Sequence, residues 1–165
     1  MTVADHRRDA PTHISCFVLS ISDTRTEADD TSGNAIASAL TEAGHVVSAR
    51  RIVPDEPAIV RDVITAQAGT VDVVITTGGT GITSRDSTYE AIAAVLEKHI
   101  DGFGELFRML SFPEIGAAAM MTRACAGTVG RTAIFSLPGS EHAVRLAMTR
   151  LIVPELGHVV RELRR

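Results

Sequence analysis

Of sixteen basic residues only Lys98 is a lysine, so no glycine-rich loop of this chain contains one. That excludes a Walker-type phosphate loop, which needs a Lys-Ser or Lys-Thr pair after its glycines. Cysteine is scarce as well. Cys16 and Cys125 lie far apart and neither belongs to a CxxC pair, which excludes a disulfide framework and a thiolate metal site and leaves two buried, reduced thiols as the expectation. No apolar run approaches the roughly 18 residues of a membrane span. Residues 1–13 are polar, with Arg7, Arg8 and Asp9 where a signal peptide needs an apolar centre, so they read as a flexible tail on a cytoplasmic protein. Positive charge is not in excess either: the net charge is -4 and the pI about 5.8, which argues against a nucleic-acid partner. The six histidines show no HExxH or other ligand spacing, which excludes a zinc hydrolase. Ser140 follows Pro138-Gly139 without the flanks of a GxSxG nucleophile and reads as a helix cap. Internal repeats and low-complexity tracts are absent.

What is present is a hydrophobic content of 45% in 165 residues, enough for one ordinary domain, taken as 14–165. Residues 14–21 form a nearly continuous apolar run, the pattern of a strand buried on both faces. Asp29 and Asp30 read as a solvated loop feeding a helix that Ser32 can cap, with Ile36, Leu40 and Ala43 on its apolar face. A strand over 46–53 stops at Pro54. Asp55 can cap the next helix, whose buried face is Ile59, Val60, Val63 and Ile64. A third strand spans 71–76, a helix 88–99, one or two helices broken near Pro113 fill 102–121, and a fourth strand covers 132–137. A long C-terminal helix, bent at Pro154, follows. Phe103, Leu106, Phe107, Leu110 and Phe112 cluster on the helices after residue 102, and core is their default reading.

Strands alternating with helices predict an α/β fold, a three-layer α/β/α sandwich around a mostly parallel sheet. Ligands bind such sheets outside the carboxyl ends of the strands. The loops at those ends carry Ser22 and Asp23, then Asp55, then Gly78 to Asp86, then Pro138, Gly139 and Ser140. Gly78, Gly79, Thr80 and Gly81 can expose several backbone N–H groups to a phosphate, although Ser84 stands where a dinucleotide fingerprint needs its third glycine. A glycine turn that only connects strand to helix is the equally weighted alternative on composition alone. Asp55 and Asp86 flank this cradle, and a carboxylate pair with substrate phosphates is the usual setting of Mg²⁺. For each aspartate the plainer role is a helix cap. Arg85 is as well explained by solvation as by a phosphate contact.

With these residues in place the chain resembles the MoaB/MogA family of molybdenum-cofactor biosynthesis proteins, from about residue 14 to the C-terminus. The resemblance rests on Ser20-Ile-Ser-Asp-Thr24, Asp30-Thr-Ser-Gly33, Ile52-Val-Pro-Asp-Glu56, the run from Thr76 to Asp86, Gly102-Phe-Gly-Glu105 and Leu137-Pro-Gly-Ser140, in this order. It implies that ATP, with Mg²⁺, adenylylates the terminal phosphate of molybdopterin and releases pyrophosphate. It further implies that Asp55 and Asp86 are the acidic catalytic pair and that Ser111 and Thr122 lie near the pterin. A homo-oligomer, trimer or hexamer, and a molybdate insertase as partner are also implied. Ser136 departs from the pattern, because the adenylyltransferase branch often has asparagine there, and the segment 102–116 resembles the MoaB branch more closely. A non-catalytic molybdopterin-binding or scaffold protein of the same pathway is therefore the alternative. The insertases that share this domain embed it in longer chains, an extension not expected here.

Overall fold

The computed structural model describes residues 9–165. Most of the expected tail, residues 1–8, lies outside the described residues. Of its remainder, Asp9 pairs with Arg161, Pro11 lies against Gly157, and His13 Nδ1 meets the Gly44 carbonyl at 2.8 Å.

Six strands form one sheet: β1 (Ser15–Ile21), β2 (Val46–Val53), β3 (Val73–Thr77), β4 (Lys98–His99), β5 (Cys125–Val129) and β6 (Thr132–Leu137), in the spatial order β2-β1-β3-β6-β5-β4. The first four in that order run parallel, whereas β5 is antiparallel to both neighbours. The helices are α1 (Thr31–Glu42), α2 (Pro57–Gln67), α3 (Thr88–Val95), α4 (Asp101–Ile115), α5 (Glu141–Ala147) and α6 (Val153–Arg164). A 3₁₀ segment (Gly116–Met121) follows α4, and a π-helical segment (Met148–Ile152) joins α5 to α6.

Side chains alternate across each central strand, and the two sets build two cores. Cys16 and Val18 of β1 pack with Val73, Ile75, Ala133 and Phe135 beneath α1, α4, α5 and α6. Phe17, Leu19 and Ile21 pack with Val74 and Ile134 beneath α2 and α3. The molecule is thus an α/β/α sandwich, as the alternation of elements predicts. The chain leaves β1 toward one side, for β2, and then crosses to β3 on the other. The ends of β1 and β3 therefore flank the point where the strand order reverses, the place in an open α/β sheet where loops diverge and leave a crevice.

Several elements differ from the sequence reading. Residues 98–99, expected as helix, pair with β5 because Leu96 closes α3 with extended backbone. β5 itself has no counterpart in that reading: Ala126 and Gly127 carry little strand signal, and the hairpin to β6 turns at Gly130, φ +56°. β2 keeps the expected bounds and is exposed along most of its length, the mark of an edge strand. Pro113 sits inside α4 without ending it, and the break comes at Gly116. The interruption expected near Pro154 is the π segment just before it, where the proline lacks an N–H to continue the ladder.

Candidate functional site

The loops after β1, β3 and β6 meet at one point, held there by backbone rather than by chance of packing. Gly78 N–H donates to the Leu137 carbonyl at 3.0 Å, and Thr77 Oγ1 donates to the Pro138 carbonyl at 2.9 Å. The Gly139 carbonyl accepts from Ser32 Oγ at 2.7 Å and from Arg25 Nη2 at 2.7 Å, which ties this loop to α1. At Gly78 only glycine fits. Its φ is +97°, and a Cβ would stand 2.2 Å from the Ile21 carbonyl oxygen.

Asp30, expected in a solvated loop, is 1% exposed and is the true cap of α1. Its Oδ1 accepts from Gly33 N–H at 3.0 Å and its Oδ2 from Ser20 Oγ at 2.6 Å, while Arg50 stands 3.3 Å away and Arg25 3.8 Å away. Ser32, expected as that cap, instead serves the Gly139 carbonyl. Asp29 is exposed as expected and accepts from the Thr26 N–H. Ser140 caps α5, accepting from Ala143 N–H at 3.2 Å.

Asp55 does not cap α2. Glu56 occupies the cap position without a side-chain bond, and Pro57 opens the helix. The Asp55 carboxylate accepts instead from the hydroxyl of buried Thr88, across the crevice, while its N–H donates to Asp23 Oδ1 at 2.9 Å. Thr88 in turn lies against Gly79. The Asp55–Thr88 bond thus connects the end of β2 to the helix that follows the glycine loop. Ser22, from the same group of loops, accepts from the N–H groups of Thr24 and Arg25 and shapes the turn after β1.

Asp86 does not cap α3 either, since Ser87 takes that position. Its Oδ2 accepts from Thr83 N–H at 2.7 Å, and the carboxylate lies so close to Gly81 that a Cβ there would fall 2.3 Å from Oδ2. Those hydrogen bonds from Thr83, helped by the charge of Arg123, hold the Asp86 carboxyl below the usual carboxylate range. Oδ2 of Asp55 has no hydrogen-bond partner among the described residues, and the Asp86 carboxylate takes its hydrogen bonds from Thr83 alone, which leaves acceptor capacity in both. Hard, half-exposed oxygens of this kind suit Mg²⁺. Among the described residues no group of three or more His, Cys, Asp or Glu side chains can hold a metal alone, so the rest of the shell of an ion here would come from water or a ligand's oxygens. Arg85 is exposed.

Ser111 and Thr122 are not part of this cluster in the same sense. Ser111 is buried on α4 and its hydroxyl donates to the Phe107 carbonyl at 2.8 Å. Thr122 ends the 3₁₀ segment, and its neighbour Arg123 reaches the glycine loop, with Nε 3.2 Å from the Thr80 carbonyl. Arg123 and Arg25 are the residues that sequence reasoning missed. Neither sits in a motif recognisable by spacing, and each acts on a loop more than 40 residues away. Ser136 is fully buried on β6, between Thr76 and Cys125, so it shapes the sheet beneath the crevice.

Residues 17–158 match the model of the probable molybdopterin binding domain. The molybdenum cofactor biosynthesis protein B of Bacillus cereus is 52% identical over all of this chain and 99% of its own, and that of Bacillus subtilis is 51% identical with the same coverage. Among solved structures, a molybdenum cofactor biosynthesis protein B superposes with a TM-score of 0.90 at 52% identity, covering 94% of this chain and 99% of that one. The tungsten cofactor synthesizing protein MoaB of Pyrococcus furiosus gives 0.82 at 39% over 94% and 100%. MogA gives 0.80 at 31% over 90% and 99%. Near-complete coverage at such identity, with the crevice loops at the switch point of the same sheet, places this chain in the MoaB/MogA family of molybdenum-cofactor biosynthesis proteins.

Proposed function

We propose that this chain adenylylates molybdopterin. A terminal phosphate oxygen of molybdopterin attacks the α-phosphorus of ATP, the bond to the bridging oxygen breaks, and pyrophosphate leaves with that oxygen. No protein nucleophile is needed, because phosphoryl-type transfer depends on positioning and on neutralising charge. Mg²⁺, when bound, supplies that neutralisation between carboxylates and phosphates. Asp55 and Asp86 are the residues that would hold it. The amides of Gly79, Thr80 and Gly81 bind phosphate, with Gly78 as the turn that anchors them through Leu137, Ser22 and Asp23 close the β1 side, and Pro138, Gly139 and Ser140 close the β6 side. Ser111 and Thr122 lie on the pterin side, Thr122 next in the chain to Arg123, which reaches the glycine loop. The product passes to a molybdate insertase.

One observation carries this reading: both aspartates are released from helix capping and stand by the glycine loop, each with acceptor capacity to spare. The test is incubation of the purified chain with molybdopterin and MgATP, following pyrophosphate and the adenylylated product. Formation of both is expected. Molybdopterin bound without either product would instead assign a scaffold role in the same pathway.

The same family membership supports a trimer or hexamer, and a row of exposed apolar side chains on α4 and the 3₁₀ segment supplies surface for it.

A further inference from the structure

Arg123 lies between the 3₁₀ segment and β5, outside every motif considered so far, with only about a fifth of its side chain exposed. Its guanidinium stacks over the Tyr89 ring at 4.5 Å and pairs with Glu90, both on α3. The rest of its donors go to carbonyls of one loop. Nε donates to Thr80, and Nη2 donates to Gly81 and, at 3.5 Å, to Asp86. These commitments leave the guanidinium little capacity to contact a ligand directly.

A planar trans peptide points its C=O and the following N–H in opposite directions. With the Thr80 and Gly81 carbonyls drawn to Arg123, the N–H groups of Gly81 and Ile82 must face away from it. The N–H groups of Gly79, Thr80, Gly81 and Ile82 have no acceptor among the described residues, although their neighbours Gly78 and Thr83 are both bonded. A run of unbonded N–H groups between fixed ends is an anion-binding concavity. We infer that Arg123 is a positioning residue that shapes this loop for phosphate by gathering its carbonyls on one side. The inference rests on the phosphate-binding role proposed above for the loop, but not on any group transfer.

The planar fork matters more than the charge, since one ammonium cannot hold three carbonyls, Glu90 and a ring face together. Two variants of the full chain separate these ideas: Arg123→Met, and Arg123→Lys, which keeps the charge and secures a folded comparison. Calorimetry uses MgADP and magnesium pyrophosphate as probes, with molybdopterin binding as control. Both variants should bind MgADP and pyrophosphate about tenfold or more weakly, and molybdopterin within about twofold of the wild type. Full binding by Arg123→Lys would overturn the inference, because charge alone would then suffice, and so would unchanged affinity in Arg123→Met. If the wild type forms no adenylylated product but its pyrophosphate affinity still depends on Arg123, the adenylylation proposal falls while this one stands.

Discussion

Gly81 is a telling position in the crevice, because its missing side chain is what lets the Asp86 carboxylate lie against the loop. Gly81→Ala places a Cβ 2.3 Å from Oδ2 of Asp86, a contact that only displacement of that carboxylate can relieve. Transfer activity should fall by about 10²-fold or more, with little change in melting temperature because the loop is exposed. Asp86→Asn asks the complementary question. The asparagine oxygen can still accept from Thr83 N–H, so the loop survives, but the charge is lost. We expect kcat to drop about 10²-fold or more while molybdopterin binding is kept. Unchanged turnover with an unchanged melting temperature would defeat the catalytic assignment of Asp86. Because the Thr83 hydrogen bonds hold its pKa below the usual value, Asp86 remains ionised throughout the neutral range, and its contribution is lost only on acidification through that lowered value. The cysteines behave oppositely. Burial pushes the Cys16 thiol up to about 12 and the Cys125 thiol to about 11. A raised thiol pKa means that the folded state holds its proton more tightly. The associated stability is therefore complete below the ordinary value of 9.0 and lost as pH rises toward 11 to 12. At pH 8 both thiols should resist alkylation in the native protein and react on unfolding, which mass spectrometry after a timed iodoacetamide pulse would read.

At the scale of elements, the start of α1 carries more than its own helix. Asp30 caps it, accepts from Ser20 on β1 and faces Arg25, which in turn holds the loop after β6 through Gly139. Asp30→Ala should cost about 2–3 kcal/mol, from a lost cap and a lost buried hydrogen bond to a charged acceptor. It should also loosen the Pro138 to Ser140 loop, visible as faster amide exchange there. A loss below about 1 kcal/mol would show the cap to be local. The aspartate was legible in the sequence but its job was not: Asp30 and Ser32 are both good cap residues two positions apart, and only the approach of β1 and the β6 loop decides between them. The same limit applied at Asp55, whose capping role looked natural before Pro57 until Thr88 claimed the carboxylate. Strands β1, β2 and β6 were readable to within a residue because their segments end sharply at Ser22, Pro54 and Pro138. β5 was not, because Cys125-Ala-Gly-Thr-Val129 owes its strand conformation to pairing with β6 and β4 rather than to its own propensity. The positions of the crevice residues followed from topology, whereas the contacts of Arg25 and Arg123 arise from tertiary approach that no spacing encodes.

At the scale of the whole molecule, the apolar cluster read from 103–112 divides in two. Phe103 and Phe107 are buried, Phe103 packing edge-on against Phe135 at 5.3 Å between ring centres. Leu106, Met109, Phe112 and Ile115 point the other way along α4, and Met120 and Met121 extend the row onto the 3₁₀ segment. Phe112 is 61% exposed and Met120 81%. A row of large apolar side chains on one helix face loses stability to water that only burial recovers, at about 25 cal/mol per Å². The expectation is that copies of this chain cover the row in the proposed trimer or hexamer. Phe112→Asp tests this with little risk to the fold, because the side chain makes no core contribution in the isolated chain. Light scattering of the wild type at micromolar concentration should give a mass of three or six chains, and Phe112→Asp should shift it toward one. Circular dichroism should remain that of a folded α/β protein. A wild type that runs as a monomer would remove the assembly. A variant that keeps the wild-type mass would move the interface to another surface, where the exposed edge strand β2 is the next place to substitute.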